Sequence, residues 1–242
     1  MFINYAHRGA SEYAPDSTKV AFDMGIKMNA NGIETDLQKT KDGHIVLFHN
    51  EYLNGRCSGE GPLKEYTLAE LKQMDFGAWK NEKYTGEPIL SLEEFGKLYF
   101  HLDLTFALEL KAPDCEKETL EIVEKFGVQD KVIITSFNFE YLENIRKLNK
   151  DIRIGWLVRE ATDEACQALK SINGNQLCPQ ACFSEKKDID LINSYGLRAR
   201  IWGISNVDLM KKMCDFDIDG MTCNYPDVLY QYLKESKSVH LY

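Results

Sequence analysis

Three acids, two imidazoles and two cations are the residues of this chain whose types and spacing could do chemistry. Glu34 and Asp36 stand two apart in the strand-like run Gly32-Ile33-Glu34-Thr35-Asp36-Leu37-Gln38, so they share one face with Gln38. Lys41-Asp42-Gly43 supplies a tight reversal, because glycine accepts the positive φ that such a turn needs. The apolar run Ile45 to Phe48 then returns antiparallel and is expected to deliver His49 beside Glu34. Nothing about folding requires two acids on one side of an otherwise apolar strand. His7 and Arg8 follow the apolar run at 3–6, while Glu109 and Lys111 sit two apart at the end of the run at 106–110.

Carboxylates gathered at one point raise each other's pKa unless a cation neutralises them. Glu34, Asp36 and Glu109 together fit one hard divalent ion, Mg2+ or Ca2+, which takes oxygen ligands of this type. The competing reading pairs each acid with Arg8 or Lys111 in a structural network. His7 and His49 are candidates for a general acid and a general base. The other histidines, His44 at the turn, His101 before a strand and His240 in the tail, are read as ordinary residues. Arg8 offers a planar fork that matches phosphate oxygens, and Lys111 a mobile point charge. With a metal they suit a phosphodiester, whose charge grows in the transition state. Trp202 either lies against the carbon skeleton of a small polyol or packs as core.

Such a constellation needs a scaffold that brings distant residues to one rim. Strand-like runs at 3–6, 32–36, 106–110, 132–136, 153–158, 180–183, 198–204 and 220–222 number eight. Helical stretches separate them, beginning with one capped at Asp16-Ser17-Thr18 and followed later by 116–126, 140–148, 163–171, 187–195 and 207–214. Eight alternating units predict a (β/α)8 TIM barrel, an α/β fold forming one domain over 1–242. Residues 50–88, rich in Gly and Pro around a short helix at 67–74, read as a small insertion after the hairpin. Ser91 and Glu94 then form a capping box. Barrel chemistry sits at the carboxyl ends of the strands, where His7, Arg8, Glu34, Asp36, Glu109, Lys111, Ser136 and Trp202 all fall.

The chain of 242 residues is 44% hydrophobic, enough for a full core. Its net charge of −9 and pI near 5.2 argue against general nucleic-acid binding. Seven cysteines lack metal-site spacing and read as thiols of a reducing compartment. The first strand begins at once, with no room for a signal peptide, and no apolar run approaches a bilayer span, so a cytoplasmic protein is expected.

Taken in order, these residues resemble the glycerophosphodiester phosphodiesterase family, relatives of the phosphatidylinositol-specific phospholipase C barrels. The match runs through His7-Arg8-Gly9, Pro15-Asp16-Ser17-Thr18, Glu34-Thr35-Asp36, Thr40-Lys41-Asp42-Gly43 and His49-Asn50. It continues with Arg56-Cys57-Ser58, Leu90-Ser91-Leu92-Glu93-Glu94, Glu109-Leu110-Lys111, Trp202 with Asn206, and Asp219-Gly220 with Tyr225-Pro226-Asp227. The resemblance implies hydrolysis of a small-molecule glycerophosphodiester to sn-glycerol 3-phosphate and an alcohol, with a divalent metal. It places the metal on Glu34, Asp36 and Glu109, acid–base work on His7 and His49, and phosphate binding on Arg8 and Lys111. Three departures stand out. Asp16 replaces a glutamate near the metal or glycerol, Asn50 replaces an aspartate beside His49, and Cys223-Asn224 replaces Thr-Asp. Two rival readings remain: a phosphodiesterase of lysophospholipids, whose apolar face would lie in residues 50–88, and a non-catalytic barrel that binds polyol phosphates.

Overall fold

Apolar runs bounded by turn residues alternate with amphipathic helices, and the computed structural model, which describes residues 2–236, closes eight of these strands into a ring. The first third contains β1 (Ile3–His7), α1 (Lys19–Lys27), β2 (Gly32–Lys39), β3 (Ile45–Leu47), α2 (Leu68–Leu71) and α3 (Leu92–Tyr99). Next come β4 (Thr105–Leu110), α4 (Glu116–Phe126), β5 (Val132–Ser136), α5 (Phe139–Leu148), β6 (Arg153–Val158) and α6 (Asp163–Ser171). The remainder is β7 (Gln176–Pro179), α7 (Lys186–Ser194), β8 (Arg198–Ile201), α8 (Val207–Cys214), β9 (Gly220–Cys223) and α9 (Pro226–Ser236). β1 pairs in parallel with both β2 and β9, which closes the barrel. β3 stays outside the ring as an antiparallel partner of Leu37–Lys39 on β2.

Most expected elements form, and the (β/α)8 barrel is the observed fold. Thr18 caps α1 with its hydroxyl, and Ser91 with Glu94 forms the expected capping box on α3. The strand expected at 180–183 is a correction: β7 is Gln176–Pro179, and Ala181–Phe183 is a 3-10 turn. Pro179 lacks an N–H and suits the last position of a strand, and the Ala181 N–H donates to Trp202 O at 2.9 Å. The short helix expected at 67–74 spans only Leu68–Leu71, although Thr67 does cap it. The strand expected at 198–204 stops at Ile201, just short of Gly203 with its φ of +74°. His240 lies outside the described residues.

The barrel interior carries a small apolar plug of Tyr5, Ala107 and Ile133, while larger cores fill the layer between strands and helices. Residues of the 50–88 segment pack a cluster of Leu53, Leu63, Leu71 and Phe76 on Val46 and Phe48. Within it Phe76 is buried, and Trp79 is covered by the Arg56 guanidinium at 4.3 Å. The lysophospholipid reading needs an apolar face in this segment, and Leu53, Leu63, Leu71 and Phe76 are instead spent on its own packing. No disulfide joins any of the described cysteines, and no helix among the described residues is long and apolar enough to cross a membrane.

One close approach fixes where the loop between β1 and α1 lies. Gly9 has φ +85°, and a Cβ there would stand 2.4 Å from the Ala21 carbonyl carbon of α1. Gly9→Ala is therefore expected to destabilise the protein by about 2 kcal/mol or more, lowering Tm by about 4–8 °C. A thermal melt within about 1 °C of wild type would show that the loop can move away from α1 without cost.

Candidate active site

Ladder register does most of the positioning. His7 lies opposite Glu34 across β1–β2, and Asp36 lies opposite Glu109 across β2–β4. Neighbouring strands are about 4.8 Å apart, so side chains on the same inward face must meet. One oxygen from each of Glu34, Asp36 and Glu109 lies within 4.8 Å of the other two, and all three residues are buried. The hairpin turns at Gly43, with φ +85°, as expected. Its register sets Leu37 opposite Leu47, and Phe48 N–H donates to Asp36 O at 3.1 Å. His49 thus returns along Thr35 and Asp36, and Asp36 is the acid whose charge its ring feels most strongly.

Each imidazole is oriented by a carboxamide. The Nδ1–H of His7 donates to Asn224 Oδ1 at 2.5 Å, and that of His49 to Asn50 Oδ1 at 2.7 Å. In both rings this leaves Nε2 as the nitrogen that exchanges a proton. His7 Nε2 lies 3.8 Å from Glu34 Oε2. Gln38, on the same strand face as the two acids, donates to the carbonyls of His49 and Asn50 at 3.2 Å each and anchors the returning loop.

The two cations of the sequence reading are both held by acids. Arg8 Nε stands 2.7 Å from Asp36 Oδ2, an ion pair without hydrogen-bond alignment, and Arg8 Nη1 donates to Asp16 Oδ2 at 3.3 Å. Arg8 itself sits in left-handed backbone geometry, φ 54°, pinned by its N–H to Glu34 O and its carbonyl to Ser17 N–H. Lys111 Nζ donates to Glu109 Oε1 at 2.9 Å and lies 3.8 Å from Asp36 Oδ1. Asp16 bridges Arg8 and Arg56, at 3.3 and 3.9 Å, and is not among the cavity-lining residues.

Electrostatics separate the acids. Burial, then the neighbouring Asp36 and Glu109, pushes Glu34 well above the usual carboxylate range. Burial and Asp36 raise Glu109 to about 7, against the pull of Lys111. Asp36 is also pushed up by burial, but Arg8, His49 and Lys111 outweigh that and hold it below its ordinary value. Burial followed by the Arg8 charge lowers His7 to about 4. Burial lowers His49 too, and Asp36 partly restores it.

The cavity over these groups measures about 270 Å³ and is lined by His7, Arg8, Glu34, His49, Glu109 and Lys111 on its charged side. Its apolar lining is Phe137, Leu157 and Trp202. Trp202 donates its indole N–H to Val158 O and Cys178 O at 3.1 and 2.9 Å, and its ring meets Phe137 edge-to-face at 4.9 Å. Ser136, by contrast, is a structural residue that donates to Leu110 O at 2.9 Å. A larger cavity of about 430 Å³, lined by Ile3, Arg153 and Arg198 among others, gathers no imidazoles or clustered acids, so the chemistry belongs to the smaller one.

The sequence reading passed over Gln38 and Asn224 as orienting residues, and over Arg200, which also lines the cavity. Arg200 was findable, because it lies two residues before Trp202 and so shares its strand face.

Comparison with known proteins agrees with this geometry. The chain is 30% identical over 259 residues to a Bacillus subtilis protein named glycerophosphodiester phosphodiesterase, covering 96% of this chain and 86% of that one. A Caldanaerobacter subterraneus protein of the same name is 29% identical over 235 residues, covering 95% and 97%. An Oleispira antarctica phosphodiesterase solved with its product sn-glycerol 3-phosphate superposes with a TM-score of 0.89 at 26% identity, over 95% of this chain and 96% of that one. The fold is shared with an Agrobacterium tumefaciens glycerophosphodiester phosphodiesterase at TM-score 0.87 and 20% identity, over 96% and 100%. Residues 7–228 match the model of one family, and the chain belongs to it: it is a phosphoric diester hydrolase of the glycerophosphoryl diester phosphodiesterase family.

Proposed function

We propose that this enzyme hydrolyses glycerophosphodiesters to sn-glycerol 3-phosphate and an alcohol, using one divalent cation and the imidazoles of His7 and His49. The observation that carries this reading is the meeting of three buried carboxylates and two oriented imidazoles at one cavity. The acids fit a cation: both oxygens of Asp36 and Oε2 of Glu34 are buried and accept no hydrogen bond. Glu34, Asp36 and Glu109 would hold it, and when bound it offsets the negative charge that builds on the phosphoryl oxygens.

The protein's own groups do the rest. Arg8 and Lys111 border the cavity and present positive charge to the phosphate. His7, held neutral by burial, takes the proton of the attacking hydroxyl at Nε2. The attacking oxygen belongs to water or to the substrate's glycerol. His49, half-buried beside Asp36, gives a proton from Nε2 to the departing alcohol as the P–O bond breaks. The arriving phosphodiester, being an anion, favours the charged form of that ring. Trp202 and Phe137 pack against the carbon skeleton of the glycerol or alcohol.

The test is release of sn-glycerol 3-phosphate from several glycerophosphodiesters in EDTA, Mg2+ and Ca2+. Release with a cation and none in EDTA is expected; no release from any headgroup would end the reading. A lysophospholipid arm belongs in the same assay, because Tyr13, Tyr52, Phe137 and Phe183, on loops that follow the carboxyl ends of strands, are at least 36% exposed.

Cation affinity should depend on pH with a definite sign. Glu109 keeps its proton up to about 7 in the cation-free protein, and Glu34 is raised in the same direction. A cation must expel those protons, so affinity is expected to climb with pH by about tenfold per unit for each proton expelled, the share due to Glu109 levelling off above about 7. Calorimetric titration at several pH values checks this; an affinity flat with pH would show the acids already ionised.

A further inference from the structure

Arg200 is an anomaly inside the barrel. It is 1% exposed and heads the fully buried side chains by size. Its strand neighbours explain the space but not the charge: Gly220 sits opposite it on β9, and the Tyr5 ring lies 5.2 Å from the guanidinium. Nη1 donates to Thr222 Oγ1 at 3.1 Å and the Cys178 thiol adjoins the guanidinium, while Nε and Nη2 meet no oxygen or nitrogen acceptor among the described residues. Among the described residues no carboxylate stands within the 4.0 Å of an ion pair, although Glu34 and Glu109 feel the charge from further away. A buried guanidinium with unmet donors is costly, and a fold keeps one where something else completes it.

The cavity supplies the missing context. Arg200 lines it together with Glu34, Glu109 and Lys111. Of the arginine and lysine side chains there, Arg8 and Lys111 are already ion-paired with Asp36 and Glu109, which leaves Arg200 as the one without an acid partner among the described residues. We infer that Arg200 is a further phosphate-binding residue, whose unmet donors complete their hydrogen bonds on the anionic oxygens of the bound phosphodiester and of its phosphomonoester product. A guanidinium suits that task because its planar donors match phosphate oxygens in pairs, whereas an ammonium offers a single point of charge. The inference rests on the phosphodiesterase reading for its ligand and on the orphaned guanidinium for its site.

The test separates the two. Wild type, Arg200→Lys and Arg200→Gln are titrated in EDTA with inorganic phosphate and with sn-glycerol 3-phosphate. Arg200→Lys is expected to weaken both by about tenfold and Arg200→Gln by more, with glycerol alone binding none of the three. In turnover assays KM should rise by a similar factor while kcat changes less. A melting temperature lowered by substitution, with phosphate affinity within about twofold of wild type, would make Arg200 purely structural and overturn the proposal. Where Arg200→Gln does not fold, Arg200→Lys and the Arg200 Nε–H resonance of the wild-type enzyme carry the test. A resonance that phosphate does not move overturns the proposal. Phosphate held through Arg200 by an enzyme that releases no sn-glycerol 3-phosphate would sink the reaction and leave this residue's role standing.

Discussion

His49→Ala should keep the barrel intact and lose about 10²–10⁴-fold in kcat/KM, most of it in kcat. The residue sits outside the closed ring, just after β3, and Gln38 holds its carbonyl rather than its ring, so removing the imidazole leaves the backbone anchored. If His49 protonates the leaving alcohol, a substrate with an acidic leaving group such as nitrophenol needs no such help. The defect of His49→Ala should therefore shrink on that substrate, whereas that of His7→Ala should persist. Equal defects on both substrates would reverse or remove the assignment of acid and base. Wild-type turnover in either variant would end the two-histidine mechanism. Asn50→Ala, which frees Nδ1 of the same ring, should show a smaller loss with the same dependence on leaving group.

The second large effect is expected from Glu34→Gln, which keeps the volume of the side chain and removes its charge. Cation binding and activity should fall together, activity by about 10³-fold or more. Stability should move the other way. Glu34 is buried, is pushed well above the usual carboxylate range, and faces two further acids, so an amide there relieves a desolvated like-charge contact. In EDTA the variant should melt above wild type, by a margin that widens as pH rises and the buried carboxyl is pressed toward ionisation. Saturating cation should reverse that order by binding the wild-type protein alone. A variant that melts below wild type in EDTA would show the acid cluster to be satisfied without a cation.

Much of this site was legible because strand parity is a strong rule. Glu34 with Asp36, and Glu109 with Lys111, are pairs two apart at strand ends, and a barrel brings such pairs to one rim. Cap chemistry was equally readable at Thr18 and Ser91, where a hydroxyl must meet an N–H of the first turn. What escaped was tertiary. The run at 180–183 is apolar enough for a strand, but Pro179 and the bond from Ala181 to Trp202 end the ladder first. Asn50 reads in sequence as a lost charge, and only the 2.7 Å contact shows that its carboxamide still orients His49. The spacing of Arg200 from Trp202 could have flagged its strand face, but its burial shows only once the barrel closes around it.

His49 rides on an antiparallel excursion, and the same excursion runs straight into the 50–88 segment. Replacing the segment between Asn50 and Ile89 would thus leave every strand pairing of the eight-membered ring in place. That makes the stretch separable from the barrel, with Gln38 the hinge pin that keeps His49 and Asn50 in place whatever follows them.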